Sequence, residues 1–253
     1  MKIVSKLFVL MFISAIACNQ PGISSKYKVA RIEVRPEINA VWDKPPWTGI
    51  KPLQLNNYMG DKPEHFPFTQ AKIVYDDSAI YVIFRVKDRY VKAVHNKHQG
   101  PVCLDSCVEF FFTPNDSSQN SYFNLEMNCG GTILFHHQTR QPANGNSLSG
   151  AMVRQLVSEA MIQQVEVAHS LPVKVDPEIE EETTWSVEYR IPFSVLNNYD
   201  AFPRPVAGTV WRANLYKCAD KTSHPHWLTW APVDYPAPNF HLPEFFGILE
   251  FQK

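Results

Sequence analysis

Glu109 stands as the single carboxylate in the run Ser106-Cys107-Val108-Glu109-Phe110-Phe111-Phe112, among aromatic and apolar neighbours. An ionised carboxylate buried in such company requires a partner, and Arg85 or Arg212 are the arginines expected to supply it. Strand alternation sends every second residue to one face. It therefore groups Asn124, Glu126 and Asn128 in one stretch, and Arg212, Asn214 and Tyr216 in another. Carboxylate, amide and guanidinium are planar groups that each engage two neighbouring hydroxyls at once, which is the chemistry of holding a polyol or a sugar. The competing reading is a structural polar network, or residues that face solvent.

Aromatic side chains are the other half of such a site, because a pyranose ring packs its C–H face on a flat ring, much as bases stack on aromatic platforms. The tryptophans are Trp42, Trp47, Trp185, Trp211, Trp227 and Trp230. Trp227 and Trp47 lie in proline-rich, loop-like surroundings and are the expected stacking surfaces. Trp185 and Trp211 begin strand-like runs and are expected to pack inside.

Histidines gather at His224-Pro225-His226-Trp227, at His241 and at His136-His137. An imidazole set of this kind is able to hold a transition metal, but the spacing matches no metal motif, and no metal ligand is assigned. Nucleophile elbow, HExxH and phosphate-binding glycine loop are all missing from the sequence, so no catalytic residue is assigned either. Glycoside hydrolysis needs no such motif, only two apposed carboxylates. Glu109 with Glu126 or Asp105 is the alternative reading that this leaves open.

The elements that must position these groups are short. Runs rich in Val, Ile, Phe and Tyr read as strands at Val29 to Val34, Lys72 to Tyr75, Ile80 to Val86, Cys107 to Thr113, Tyr122 to Asn128 and Thr132 to His136. Further runs follow at Ile162 to Ala168, Trp185 to Ile191, Thr209 to Lys217, His226 to Trp230 and Gly247 to Phe251. Asp76-Asp77-Ser78 reads as a hairpin turn, because its side chains satisfy local backbone groups. Helix is expected only as a turn or two near Ser149 to Met161 and in Ile191 to Leu196, where Pro192 suits a first helical turn. The acidic stretch Pro172 to Thr184 reads as a solvated loop. Many short strands with 20 prolines and little helix predict an all-β, antiparallel sandwich or barrel.

The chain has 253 residues and a formal net charge of -1. Its charges are interspersed, which excludes the basic stripe that counterion release at nucleic acid demands. At the N-terminus, Lys2 and Lys6 precede an apolar run from Leu7 to Ile13 and the small residues Ser14 to Ala17. That is a secretion signal, too short to span a bilayer. Cys18 directly after Ala17 resembles the lipobox of bacterial lipoproteins, which implies Cys18 as the lipidated mature N-terminus. An ordinary secretory signal is the competing reading, because Ala15 stands at the usual Leu position. The expected layout is signal and lipobox at 1–18, a tether at 19–27 and one domain over 28–253. The expected location is the bacterial cell envelope, at the outer membrane or the periplasmic face, with membrane contact through the lipid alone. Cys103, Cys107, Cys129 and Cys218 then permit three complete disulfide pairings that spacing does not separate. Cys103 and Cys107 also lack the CxxC partner of common zinc sites.

The order of segments carries a resemblance. Ala71 to Asp77, Ile80 to Asp88 and Asp105 to Phe111, then Tyr122 to Asn128 with Gly131-Thr132, Trp185 to Glu188 leading to Ile191-Pro192-Phe193, and Gly208 to Asn214 together resemble the family 9 carbohydrate-binding modules. Pro225-His226-Trp227 to Pro232 and Phe240 to Gly247 are similar to the closing region of the lipoprotein branch of that family. The resemblance spans nearly all of the mature chain and implies a β-sandwich related to the DOMON superfamily. It also implies a non-catalytic module that captures oligosaccharide or polysaccharide between tryptophans and polar side chains. By position, Glu109, Asn128, Arg212 and Asn214 are its polar candidates here, and the indoles expected beside them are Trp227 and Trp47, taken from their loop-like surroundings and not from the family pattern. Some family members hold structural calcium, for which only Asp76-Asp77 offers oxygens, and other DOMON branches bind haem through Met and His. Neither is assigned as a cofactor.

Overall fold

The computed structural model describes residues 25–114, 120–141 and 151–253. In chain order the strands are β1 (Lys26–Arg31), β2 (Leu53–Gln54), β3 (Asn57–Tyr58), β4 (Phe68–Tyr75), β5 (Ala79–Asp88), β6 (Val91–Ala93), β7 (Cys107–Thr113) and β8 (Ser121–Asn128). They continue with β9 (Ile133–Arg140), β10 (Met152–Leu156), β11 (Glu166–His169), β12 (Val175–Ile179), β13 (Thr183–Pro192), β14 (Val210–Cys218), β15 (Trp227–Thr229) and β16 (Gly247–Phe251). Two short helices, α1 (Glu159–Ile162) and α2 (Phe193–Asn197), complete the regular elements together with three single 3-10 turns.

Two sheets face each other and share β1. Its first half, Lys26 to Val29, runs parallel to β16, and its last residues, Ala30 and Arg31, run parallel to β4. The first sheet therefore reads β10-β9-β8-β7-β14-β16-β1 and the second β1-β4-β5-β13-β11. Between them lies one apolar core, filled by alternate residues of each strand: Val108, Phe110 and Phe112 of β7, Leu215 and Trp211 of β14, and Val82, Phe84, Val187 and Tyr189 from the second sheet. Phe112 stacks on Trp211 at 5.6 Å. Trp185 and Trp211 are fully buried, as their positions at strand starts led us to expect.

Both outer faces are also covered, so the sandwich carries a further layer on each side. Residues from Ile32 to Trp47 lie over the second sheet. On the first sheet, Phe240, Phe246 and neighbouring residues of the C-terminal segment, with Met59 and Val102, cover Phe111, Tyr122 and Tyr216. For this reason every residue of β7 is buried although its pattern alternates.

Local chemistry explains most boundaries. Asp76 accepts hydrogen bonds from the Ser78 and Ala79 amides at 2.6 and 2.9 Å and from the Tyr81 hydroxyl at 2.6 Å, closing the β4–β5 hairpin. Those bonds engage both Asp76 oxygens in the turn. Four expectations are corrected. Ile162 to Ala168 is not one strand: Ile162 and Val165 are both buried three residues apart, a helical spacing, so α1 comes first and β11 starts only where it pairs with β13. Met152–Leu156, expected as helix, is a largely exposed strand held by the edge of β9. The acidic stretch includes β12, which pairs with β6 and buries Val175 while keeping Asp176 exposed. Pro192 precedes α2 as its cap instead of entering its first turn.

A buried charged cluster joins the two sheets. Asp88 at the end of β5 accepts from His65 Nε2 at 2.6 Å, and its second oxygen, which makes no hydrogen bond, faces Lys217 Nζ of β14 at 3.5 Å. Lys217 Nζ also meets His226 Nε2 at 2.7 Å. Burial pushes the Asp88 carboxyl up, but the Lys217 charge and the His65 bond outweigh it and hold it well below the usual carboxylate range. Burial, then the Lys217 charge, pushes His226 down to about 3, so its imidazole is neutral and acceptor to the ammonium.

Both folded-state values lie below those of the unfolded chain, so both groups contribute stability that is present near neutrality and lost on acidification. His226 loses it from about pH 6.5 downward and Asp88 below about 3.8. Urea unfolding of wild type and His226→Gln between pH 7 and pH 4 should show wild type losing on the order of 1–3 kcal/mol more than the variant across that range. Parallel pH profiles would show that His226 is not held neutral.

Candidate functional site

β7 and β8 lie side by side with Glu109 directly opposite Glu126, and β14 on the other flank sets Tyr216 opposite Glu109 and Cys218 opposite Cys107. These residues share the outer face of the first sheet. The segment that crosses over them, together with β15, leaves a cavity of about 200 Å³ lined by Glu109, Glu126, Phe111, Trp227, Phe240 and His241 among others. That is below the roughly 300–1,000 Å³ of pockets for drug-sized ligands, a space for one ring.

Its walls are aromatic. Phe111 meets Tyr216 edge-on at 5.1 Å, Tyr216 stacks on Phe240 at 4.0 Å, and His241 accepts or donates a 2.8 Å hydrogen bond with the Tyr122 hydroxyl. Trp227 is half-buried, and its Nε1 donates to Asp220 Oδ1 at 2.8 Å, which holds the indole plane. Trp227 and Pro238 also line a larger neighbouring cleft of about 700 Å³, together with Asp61, Glu64 and Tyr235. One aromatic side chain thus stands between a small pocket and a larger cleft.

The floor holds two carboxyl groups in low dielectric. Burial, then the charge of Glu126 beside it, holds Glu109 well above the usual carboxylate range. Burial pushes Glu126 up to about 7 against the Asn124 amide, which donates to it at 3.0 Å. Asn124 is fixed in turn by Gln138, which donates to its oxygen at 3.1 Å. Near neutral pH the pair therefore offers both a hydrogen-bond donor and acceptors. The Glu109 partner is not Arg85 or Arg212, as expected, but the Cys218 thiol, which donates to Oε1 at 3.1 Å. Arg85 lies on β5 in the other sheet, where it bonds Gln70.

The other expected site residues are placed as follows. Asn128 shares the face but is fully buried, and its polar atoms are engaged: its amide donates to Asp105 and to the His95 carbonyl, both at 2.8 Å, and its oxygen accepts from the Thr132 amide at 3.0 Å. It shapes the tight turn between β8 and β9, where Gly131 adopts φ +82° and an added Cβ would fall 2.2 Å from the His169 ring. Asn214 is likewise buried, with its amide on the Ala231 carbonyl and its oxygen on the Ala231 and Leu215 amides, so it clamps two chain segments together. Arg212 is half-buried on β14, six residues from Cys218, or roughly 20 Å along a strand.

Trp47 is the clearest correction: it is 0% exposed, lies over the second sheet, and donates from Nε1 to Glu188 at 2.9 Å. Proline-rich surroundings suggested an exposed loop, but they instead shape a cover pinned to a buried carboxylate. All four cysteines of the domain carry free thiols. Cys18 lies outside the described residues. No helix among the described residues is long and apolar enough to cross a membrane. Asp220, Phe240 and His241 are site residues that strand reading does not reach, because they lie in irregular segments and meet the floor only through the crossover.

A family model described as Carbohydrate-binding family 9 matches residues 43–251. The chain belongs to carbohydrate-binding family 9. Among solved structures it is similar to a protein of Bacteroides uniformis ATCC 8492 described as a candidate carbohydrate-binding protein, with 28% identity, a TM-score of 0.77, and coverage of 90% of this chain and 99% of that one. It is also similar to a family 9 module of Caldicellulosiruptor kristjanssonii solved with glucose, with 14% identity, TM-score 0.59, and 90% and 96% coverage. The same kind of module solved with cellotriose gives 15% identity, TM-score 0.57, and 90% and 94% coverage. No match was found among curated proteins. At those identities the Caldicellulosiruptor modules speak to the fold, which is the family 9 β-sandwich.

Proposed function

We propose that this family 9 domain binds the terminal ring of an oligosaccharide or polysaccharide in the pocket over β7 and β8, and does no chemistry on it. The observation that carries this reading is a ring-sized cavity with a fixed indole, Trp227, on one side and the paired carboxyls of Glu109 and Glu126 as its floor. The indole packs on the C–H face of a pyranose, and the carboxyl pair meets its hydroxyls. The open cleft beyond Trp227 leaves room for the next units of the saccharide. That related modules were solved with glucose and with cellotriose supports glucose-terminated saccharides as the first probes. The two carboxyls rise side by side from one sheet face, so they approach a ligand from the same side. Glycoside cleavage requires them to flank the scissile bond, which favours capture over hydrolysis with Glu109 and Glu126.

Calorimetric titration of the domain with glucose, cellotriose and a wider glycan panel tests this. Trp227→Ala is expected to weaken the bound saccharide by about 5- to 150-fold, the equivalent of the 1–3 kcal/mol that an aromatic stacking surface supplies. Failure of wild type to bind any saccharide, or equal affinity in the variant, would sink the reading; cleavage of a bound glycan that stops in Glu109→Gln would replace it with hydrolysis.

We further propose that the domain works in glycan capture for carbohydrate catabolism while exported and anchored in the bacterial cell envelope by a lipid on Cys18. The support is the charged, apolar and small-residue order of residues 1–18. Incorporation of labelled palmitate in a bacterial host, abolished in Cys18→Ser, is the expected result.

A further inference from the structure

Two buried thiols, one lining the pocket and one directly behind it, are left unused by saccharide capture. Cys107 of β7 and Cys218 of β14 face each other in direct register, and Glu109 follows Cys107 by two residues on the same strand face. The two sulfurs and a carboxylate oxygen all lie within 4.8 Å of one another, with all three residues buried. Among the described residues Glu109 has no ion pair with Lys, Arg or His, and its carboxylate accepts from the Cys218 thiol at 3.1 Å. Cys103, Glu109 and Cys218 line the cavity, which opens the cluster to solvent.

We propose that Cys107, Cys218 and Glu109 form a binding site for a soft divalent cation of the zinc class, entered through the pocket. A tetrahedral zinc with sulfur at about 2.3 Å and oxygen at about 2.0–2.2 Å sets its ligands roughly 3.3–3.8 Å apart. Donors already gathered within 4.8 Å reach that spacing by small side-chain rotations. Two thiolates select zinc over calcium or magnesium, which take oxygen ligands. Three protein ligands leave one position facing the cavity, where water or the Cys103 thiol completes the set. Binding displaces the ligand protons to solvent and requires no oxidant or reductant. This assignment does not rest on saccharide capture: a sugar titration of the metal-free protein reports on one, and metal uptake on the other.

The test uses the reduced chain, titrated with Zn²⁺ against a chromophoric chelator and with Co²⁺ while following thiolate-to-cobalt charge-transfer absorption. One equivalent of each metal with a charge-transfer band is the expected result. Cys107→Ser and Cys218→Ser are each expected to weaken zinc by more than about a hundredfold, beyond the roughly 10–100-fold that loss of an outer partner causes. Cys129→Ser, whose sulfur lies in the main core, should bind zinc as wild type does. No stoichiometric uptake, or no charge-transfer band in wild type, overturns the proposal; so does undiminished uptake by the Cys107→Ser/Cys218→Ser double variant. The wild-type cobalt spectrum is decisive even if a variant folds poorly.

Discussion

Lys217→Ala is expected to destabilise the domain by about 3–5 kcal/mol, because removal of one partner of a buried pair strands the other charge. Lys217 and Asp88 are both 0% exposed at the side chain and come from opposite sheets. Without the ammonium, Asp88 would keep only the His65 bond and the Arg89 amide, at 2.6 and 2.8 Å, and His226 would lose its donor. The carboxyl would then be protonated in the fold near neutral pH or would draw in water, and either response costs stability. For a domain of this size, at roughly 2–4 °C per kcal/mol, the melting temperature should fall by about 6–20 °C. Replacing both charges, in Lys217→Met/Asp88→Leu, should recover much of the loss, since well-packed apolar groups often match a buried ion pair. A loss below about 1 kcal/mol in Lys217→Ala would show that water already solvates the cluster.

Glu188→Ala is the second large effect, expected to cost more than about 3 kcal/mol and to loosen residues 37–50 selectively. Glu188 is fully buried on β13 and accepts from four donors: the Asn39 and Ala40 amides at 3.0 and 2.7 Å, Lys44 Nζ at 3.0 Å and Trp47 Nε1 at 2.9 Å. Bonds to a charged acceptor are worth roughly 1.5–3 kcal/mol each, and the orphaned donors carry their own desolvation cost. Those donors belong to one segment, which also meets the sheet through apolar packing and the Lys72 bond to the Trp47 carbonyl at 2.6 Å. Hydrogen exchange should therefore rise at the Asn39 and Ala40 amides and around Trp47 while the strands opposite stay protected. Uniform loss of protection over both sheets would mean that the segment is not a separate layer. Saccharide binding at Trp227 should be unchanged in folded Glu188→Ala, because Trp47 and the pocket occupy opposite faces of the sandwich.

The two variants mark where strand patterning stops being informative. Period-two alternation grouped Glu126 with Asn124 and Asn128, and Asn214 with Arg212 and Tyr216; the structure keeps both groupings on β8 and β14. It said nothing of what lies above a face. β7 carries a carboxylate and a threonine on one face, yet it is buried on both sides, because a segment more than a hundred residues later closes over it. Asn128 and Asn214 have the right residue type and the right face for a ligand, yet Asn214 bonds only backbone, and Asn128 bonds backbone and the Asp105 carboxylate. Amide groups serve a sugar hydroxyl and a peptide equally well, so residue type alone does not choose between them.

By itself, the amino-acid order determined the all-β sandwich and the strand faces, and it offered Glu109 with Glu126 as a carboxylate pair, since each follows from local spacing and from the colinear family pattern. Tertiary structure alone decided that Trp47 is sealed beneath Glu188 and that Trp227 and Glu109 line one pocket. It also decided that Cys107 and Cys218, 111 positions apart, face each other. The physical reason is range: side-chain direction along a strand is set by its own backbone, whereas accessibility and ligand geometry depend on which distant segment covers the face and in what register the strands pair.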